Sequence, residues 1–343
     1  MKDSIADSIR RHGFKRLLLA VSGGLDSICL AHYFICNKEA LGIEWLGIAH
    51  VHHGLREGTA DRDAAFVETF AKAHNIPFFL KKLDGEALKN AEGSLEENAR
   101  DARYKALQEA AKNCDAIVTA HHAGDQTETM YMRLRRGTTL AGLRGIQDVR
   151  DNIYRPFLSV TRADLLAYAR KNNLEWCEDE SNSDVKFARN KVRHIYLPQL
   201  ARGYCDAATQ LCRIASLADK AYAKVMDKCN ELFNPIVSLE KEMPELVGHD
   251  IPSIKLNKKA LRKILLAHAD ADLSEMFRLW LSELGFRFPI GFFYSQTEPA
   301  HVKIPVRAAY RKRSIVKKGS TVLICEFEDV QTASKFVSCG MKE

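Results

Sequence analysis

One junction constrains this chain more than any other. The apolar run Arg16-Leu17-Leu18-Leu19-Ala20-Val21 passes directly into Ser22-Gly23-Gly24-Leu25-Asp26-Ser27, and Ile28, Leu30, Ala31 and Phe34 follow at helical spacing. A short apolar run closed by glycines reads as a buried strand, so the segment predicts strand, tight turn and helix in immediate succession. Successive glycines permit positive φ and let backbone N–H groups approach a ligand closely. The helix N-terminus adds partial positive charge, and together they suit a pyrophosphate. Ser22 and Ser27 supply hydroxyls. Asp26 is out of place against a phosphate unless a cation lies between them, which implies Mg²⁺. The turn is neither a Walker A loop, since no Lys-Ser or Lys-Thr follows the glycines, nor Gly-x-Gly-x-x-Gly.

The same rhythm continues to about residue 200. Strands are expected at Glu44 to Val51, Ile76 to Leu83 and Asp115 to Thr119, with helices over Asp63 to His74, Leu95 to Lys112 and Asp125 to Arg136, the last stopped by Gly137. Asn152 to Leu158 reads as a final edge strand, and Thr161 caps a helix to about Lys171 with Asp164 in the capping-box position. Such alternation implies right-handed βαβ crossovers and a parallel, doubly wound α/β sheet, whose ligand lies beyond the carboxyl ends of the strands. Ser22 to Ser27, His50 to Gly54 and His121 to Asp125 all fall at such ends.

Beyond residue 200 the strand rhythm fades. Cys205 to Leu232 is helical in pattern, Pro235 to Pro252 reads as a loop, and the tail mixes two helical stretches with β-like runs at Val302 to Val306 and Thr321 to Phe327. The expected organisation is a ligand-binding α/β domain over 1–200, a helical linker region over 201–250, and a small basic α+β domain over 251–343. With 46% apolar and 28% charged residues among 343, the chain can bury a core without staples. Nine scattered cysteines without a Cys-x-x-Cys pair read as reduced thiols. No signal-peptide pattern or bilayer-length apolar run is present, so a cytoplasmic protein with no membrane partner is expected.

The loop Ser22 to Ser27 resembles the pyrophosphate loop of the PP-loop ATPases, which cleave ATP between the α and β phosphates. Further segments, in order, resemble the tRNA(Ile)-lysidine synthetase family: His50-Val51-His52-His53-Gly54-Leu55-Arg56, Ala99-Arg100-Asp101-Ala102-Arg103-Tyr104, Ala120-His121-His122-Ala123-Gly124-Asp125-Gln126-Thr127-Glu128-Thr129, Tyr154-Arg155-Pro156-Phe157-Leu158, Glu178 to Asn182 and Arg189-Asn190-Lys191-Val192-Arg193-His194. The resemblance spans residues 14 to 200. It implies that ATP adenylates the C2 oxygen of the wobble cytidine, C34, of the CAU-anticodon tRNA(Ile), releasing pyrophosphate. Free L-lysine then attacks through its ε-amine and expels AMP, leaving lysidine. Gly124 and Thr139 depart from the family pattern, which affects local loop geometry.

The residues fit that scheme. Ser22, Gly23, Gly24, Leu25, Asp26 and Ser27 would hold the nucleotide, with Asp26 on the metal. Asp125 and Glu128 share a helix face and could orient the ammonium of lysine and help remove its proton. Arg100 suits ATP or the substrate carboxylate, and Arg193 the adenylated intermediate or AMP. One of His121 and His122 should line the nucleotide pocket, and His122 is taken as catalytic. Zinc binding is not expected from adjacent histidines, which point to opposite faces of a strand. A net charge of +7 and two basic clusters, Arg133, Arg135, Arg136 and Arg144, then Arg307, Arg311, Lys312, Arg313, Lys317 and Lys318, would track tRNA phosphates. A homodimer is compatible with the sequence. The rivals are a tRNA thiolase and a small-molecule amide-forming ligase on the same fold.

Overall fold

The computed structural model describes residues 2–52, 54, 59–178, 188–204, 206–242, 251–267, 273–286, 288, 307–310, 313–318 and 321–326. They form two compact units, 1–218 and 219–343.

In the first unit, helix α1 (Lys2–His12) leads into strand β1 (Arg16–Ala20) and helix α2 (Leu25–Cys36). There follow β2 (Trp45–His52), α3 (Thr59–Ala73), β3 (Phe78–Lys82), α4 (Gly85–Asn90), α5 (Leu95–Ala110) and β4 (Ala116–Val118). Then come α6 (Ala123–Arg136), the short α7 (Leu140–Leu143), β5 (Val149–Arg150), β6 (Ile153–Tyr154) and α8 (Arg162–Lys171). The sheet order is β3-β2-β1-β4-β6-β5. Every pair is parallel except β5 with β6.

Alternation along β1 explains the double winding. Leu17 and Leu19 join the core made by α1, α2, α3 and α8, while Leu18 packs on the other face with Leu107, Ala111 and Ile117. A strand buried on both faces needs a continuous apolar run, which residues 17–19 supply. The chain leaves β1 for β2 on one side and returns to β4 on the other, so a crevice opens between the carboxyl ends of β1 and β4.

The expected edge strand over Asn152 to Leu158 is corrected in two respects. Only Ile153–Tyr154 pair, and the edge is β5, which folds back antiparallel through Asp151 at φ +56. Pro156 lacks the N–H a longer strand would need. The capping box at α8 is present as expected, Thr161 Oγ1 accepting from Asp164 N and Asp164 Oδ2 from Thr161 N.

After residue 187, α9 (Ala188–Lys191), a π-helical turn (Val192–Tyr196) and α10 (Leu197–Gly203) run end to end, followed by the long α11 (Ala207–Phe233). The second unit holds an antiparallel sheet ordered β7 (Val237–Glu242), β8 (Ile251–Asn257), β11 (Thr321–Glu326), β10 (Arg313–Lys318) and β9 (Arg307–Tyr310), with α12 (Lys258–Ala267) and α13 (Leu273–Glu283). Phe233, Ile254, Leu256, Phe277, Trp280 and Ile324 form its core. Residues 237–242 were expected as loop; Glu240, Lys241 and Glu242 hide the strand signal, and pairing with β8 supplies what local pattern lacks. Val302 to Val306 lies outside the described residues. Among the described residues no helix is long and apolar enough to cross a membrane.

Candidate active site

The loop between β1 and α2 has the geometry of an anion cradle. Gly23 adopts φ +96, a conformation that favours glycine, whereas Gly24 is extended at φ −73 and caps the helix. Ser27 Oγ accepts from Ser22 N at 3.1 Å and donates to Gly24 O at 2.9 Å, which ties the turn together. The amides of Gly23, Leu25 and Asp26 make no hydrogen bond among the described residues and remain for a ligand. Cys177 N donates to Gly23 O at 2.9 Å and roofs the loop.

At the end of β4, His122 is the N-cap of α6. Its Nδ1 accepts from Gly124 N at 2.9 Å, and Asp125 Oδ2 accepts from His122 N at 2.9 Å, so cap and helix hold each other. With Nδ1 acting as an acceptor, the proton of neutral His122 belongs on Nε2. That nitrogen lies 3.6 Å from Asp26 Oδ2 and 3.7 Å from Asp125 Oδ2. One buried imidazole therefore faces the carboxylate of the loop and the carboxylate of α6. The glycine at 124 gains a reason here: a Cβ would stand 2.6 Å from His122 Cε1.

The electrostatics are uneven. Burial pushes Asp125 up, but His122, His121 and Arg189 outweigh it and hold the carboxyl below its ordinary range. Burial drives His121 down to about 4, so it is neutral near pH 7; its Nδ1 lies 2.9 Å from Thr119 Oγ1. Asp26 has a second neighbour, the charged Arg162, with Nη1 at 3.4 Å. The Asp26 carboxylate is partly exposed and is a hard oxygen donor beside the loop amides, so it fits a phosphate-bound Mg²⁺.

Glu128 departs from the expected pairing with Asp125. Only 2% exposed, it accepts from Arg193 Nε at 2.6 Å and from Arg189 Nε at 3.1 Å. The expected presentation of both carboxylates to an amine is corrected accordingly, because Glu128 is occupied by guanidiniums while Asp125 faces His122. Arg189 and Arg193 reach Asp125 more loosely, at 3.7 and 3.9 Å. Both stand where α9 passes into the π turn, and such widened turns re-aim side chains.

Arg100 lines a cavity of about 380 Å³ with His121, Arg155 and Arg189. Two expectations for phosphate-tracking arginines change. Arg133 donates to Gly142 O at 2.6 Å and Gly145 O at 2.9 Å, bracing the turn after α6, and Arg135 lies over Tyr196 at 5.2 Å. Gln126 holds the same turn through Ile146 N and O. His50 donates to Val21 O at 2.8 Å and His52 accepts from Gly54 N at 3.1 Å, so both support strand ends. Arg162 and Cys177 carried no sequence signal: 136 residues separate Arg162 from Asp26, and no pattern spans that interval. Glu178 is described, whereas residues 179–187, His53, Arg311 and Lys312 lie outside the described residues.

Comparison with known proteins identifies the family. A PP-loop domain family model matches residues 1–200. The tRNA(Ile)-lysidine synthase of Streptococcus thermophilus is 31% identical over 97% of this chain and 73% of its own length. That of Clostridium perfringens is 34% identical over 77% of this chain and 56% of its own. The bifunctional protein TilS/HprT of Listeria monocytogenes is 41% identical over 54% of this chain and 29% of its own. The chain thus spans between 29% and 56% of the lengths of the last two. Among solved structures, the U34-tRNA thiolase NcsA from Methanococcus maripaludis, with its 4Fe-4S cluster, shares the fold. It has a TM-score of 0.50 at 17% identity over 64% of this chain and 77% of that one.

Proposed function

Because the chain belongs to the PP-loop family and, within it, to the tRNA(Ile)-lysidine synthases, we propose that it ligates free L-lysine to C2 of the wobble cytidine of tRNA(Ile) with ATP. In the first step the cytidine O2 attacks the α-phosphorus and pyrophosphate departs. In the second the lysine ε-nitrogen attacks C2, the C2–O bond breaks, AMP leaves and the nitrogen gives up a proton.

The loop amides and the α2 N-terminus bind the leaving pyrophosphate. Asp26 would hold Mg²⁺, which neutralises charge on the departing phosphates. Asp125, kept ionised, offers an acceptor to the amine. The ammonium, with an ordinary pKa of about 10.4, must be deprotonated before it attacks. Arg189 and Arg193, held by Glu128, are placed to meet the negative charge that passes to AMP.

The observation that carries this reading is the convergence of Asp26 and Asp125 on one imidazole nitrogen, at 3.6 and 3.7 Å. It supports a site in which Asp26 would hold the metal and Asp125 would meet the amine within one substrate's reach. Sulfur transfer on the same fold fits less well. Cys177 touches the loop, but burial and a hydrogen bond to Asp63 push its thiol up to about 11, so it stays protonated.

The test is mass analysis of nucleosides from an unmodified CAU-anticodon transcript incubated with ATP, Mg²⁺ and lysine. A gain of one lysyl group on a single cytidine is expected. Unchanged nucleosides, with ATP consumed only when a sulfur donor or ammonia is supplied, would replace this reading by one of its rivals.

A further inference from the structure

The cavity beside the site is unusual in its charge. Its lining includes Arg100, Arg133, Arg136, Arg150, Arg155 and Arg189, and no carboxylate. Two of these are accounted for internally: Arg133 by the carbonyls of residues 142 and 145, Arg189 by Glu128. Among the described residues Arg150 pairs with exposed Asp151 alone, at 3.8 Å. Arg100 and Arg136 have no ion-pair partner among the described residues.

Arg155 is the decisive member. It is 7% exposed, its Nη1 donates to Gln147 O at 2.9 Å, and its buried Nε makes no well-directed hydrogen bond among the described residues, with the neutral Tyr104 hydroxyl as its polar neighbour. The Tyr104 hydroxyl is also buried without a well-directed partner. A buried guanidinium with a poorly satisfied donor and no carboxylate beside it is costly, and other cations around it raise that cost. Burial outweighs the opposing Tyr104 hydroxyl and, with smaller contributions from Arg100 and Arg150, pulls Arg155 below its ordinary pKa. Such a cluster is stable when an anion enters it.

We propose that this cavity receives a phosphodiester of the RNA strand next to the nucleotide being modified, a reading that rests on RNA being the substrate. A polyanion fits better than the single carboxylate of an amino acid, because Arg100, Arg136 and Arg155 have no carboxylate partner among the described residues and Arg150 has a loose one in exposed Asp151. Position agrees as well. His121 lines the cavity while its neighbour His122 faces Asp26 and Asp125, so a strand with one phosphate here would bring an adjoining base to the loop. Exposed Arg136 and Arg150 form the rim at which a backbone would arrive.

The test uses the full chain with Arg136→Ala, Arg150→Ala and, inside, Arg155→Lys, the last retaining charge in case removal impairs folding. Three quantities are measured: affinity for a CAU anticodon stem-loop at several salt concentrations, KM for lysine, and Kd for ATP. Each rim substitution is expected to weaken RNA binding about tenfold and to lower the salt slope by about 0.7, the single-strand value for one contact. KM for lysine and Kd for ATP should hold. A neutral methylphosphonate scanned through the loop should weaken wild-type binding at one position and leave the rim variants indifferent there. A rise in KM for lysine with unchanged RNA binding would assign the cavity to a carboxylate, and a loss of ATP affinity to the triphosphate; either overturns the proposal. So do rim variants that bind RNA as wild type does. Wild-type protein that binds no RNA defeats the parent reading instead, a result visible before any variant is made.

Discussion

Replacing Glu128 by glutamine isolates what the buried carboxylate does. It is 2% exposed and accepts from Arg193 Nε at 2.6 Å and Arg189 Nε at 3.1 Å, while the arginine side chains remain 35% and 30% exposed. Breaking a fully buried ion pair costs about 3–5 kcal/mol. Water reaches both guanidiniums here, so about 2 kcal/mol is the appropriate expectation after screening. For a unit of this size that lowers Tm by roughly 4–8 °C. Turnover should fall further, by about a hundredfold, since losing the shared anchor lets both guanidiniums drift by an ångström or so. Thermal denaturation and single-turnover lysidine formation measure the two effects. The combination with Arg193→Met should cost less than the sum of the single changes, by about 1 kcal/mol, because the second change removes a charge that the first left unpaired. A Glu128→Gln protein with wild-type Tm and a raised KM for lysine would refute the argument, since it would place Glu128 against the amine rather than the arginines.

Other expectations follow from the same geometry. Asp26→Asn should reduce tRNA-dependent ATP–pyrophosphate exchange at least a hundredfold, whereas Asp125→Asn should still form adenylated RNA and fail to transfer lysine; equal activity of either variant with wild type would contradict the assignment. Gly124→Ala drives a methyl to 2.6 Å from His122 Cε1, so the ring must swing from Asp26. Activity should drop at least tenfold with about 1–3 kcal/mol of stability, the usual cost of overpacking, and an active, stable variant would show that His122 needs no fixed pose. His121, pushed down to about 4 by burial, takes up its proton more readily in the unfolded chain, where it titrates near 6.5. Stability should therefore be complete above about pH 6.5 and decline as pH falls towards 4. Asp125, held below its ordinary range, extends the loss at still lower pH. Tm measured from pH 7.5 to 4.5 should show this slope, and His121→Gln should flatten its upper part; an identical slope in that variant would rule His121 out as the source.

Much of the first unit could be read locally. The junction at Ser22, the strands around it and the capping box at Thr161 are encoded within a few residues of each other, because turn chemistry and apolar period act over that range. The strand–helix alternation by itself puts Asp26, His122 and Asp125 at strand ends. Strand β7 is not legible locally because its charges mask the period, and its partner β8 begins only at Ile251.

The amino-acid order alone determined that a phosphate cradle opens a parallel sheet, since glycine, helix terminus and buried strand are local necessities. It could not determine which charges meet. Glu128 belongs to Arg189 and Arg193, Asp26 has Arg162 beside it, and Arg155 stands among cations, all through contacts between residues distant in the chain. Ion pairing depends on distance and desolvation in the folded state, and those exist only once the sheet has brought its loops together.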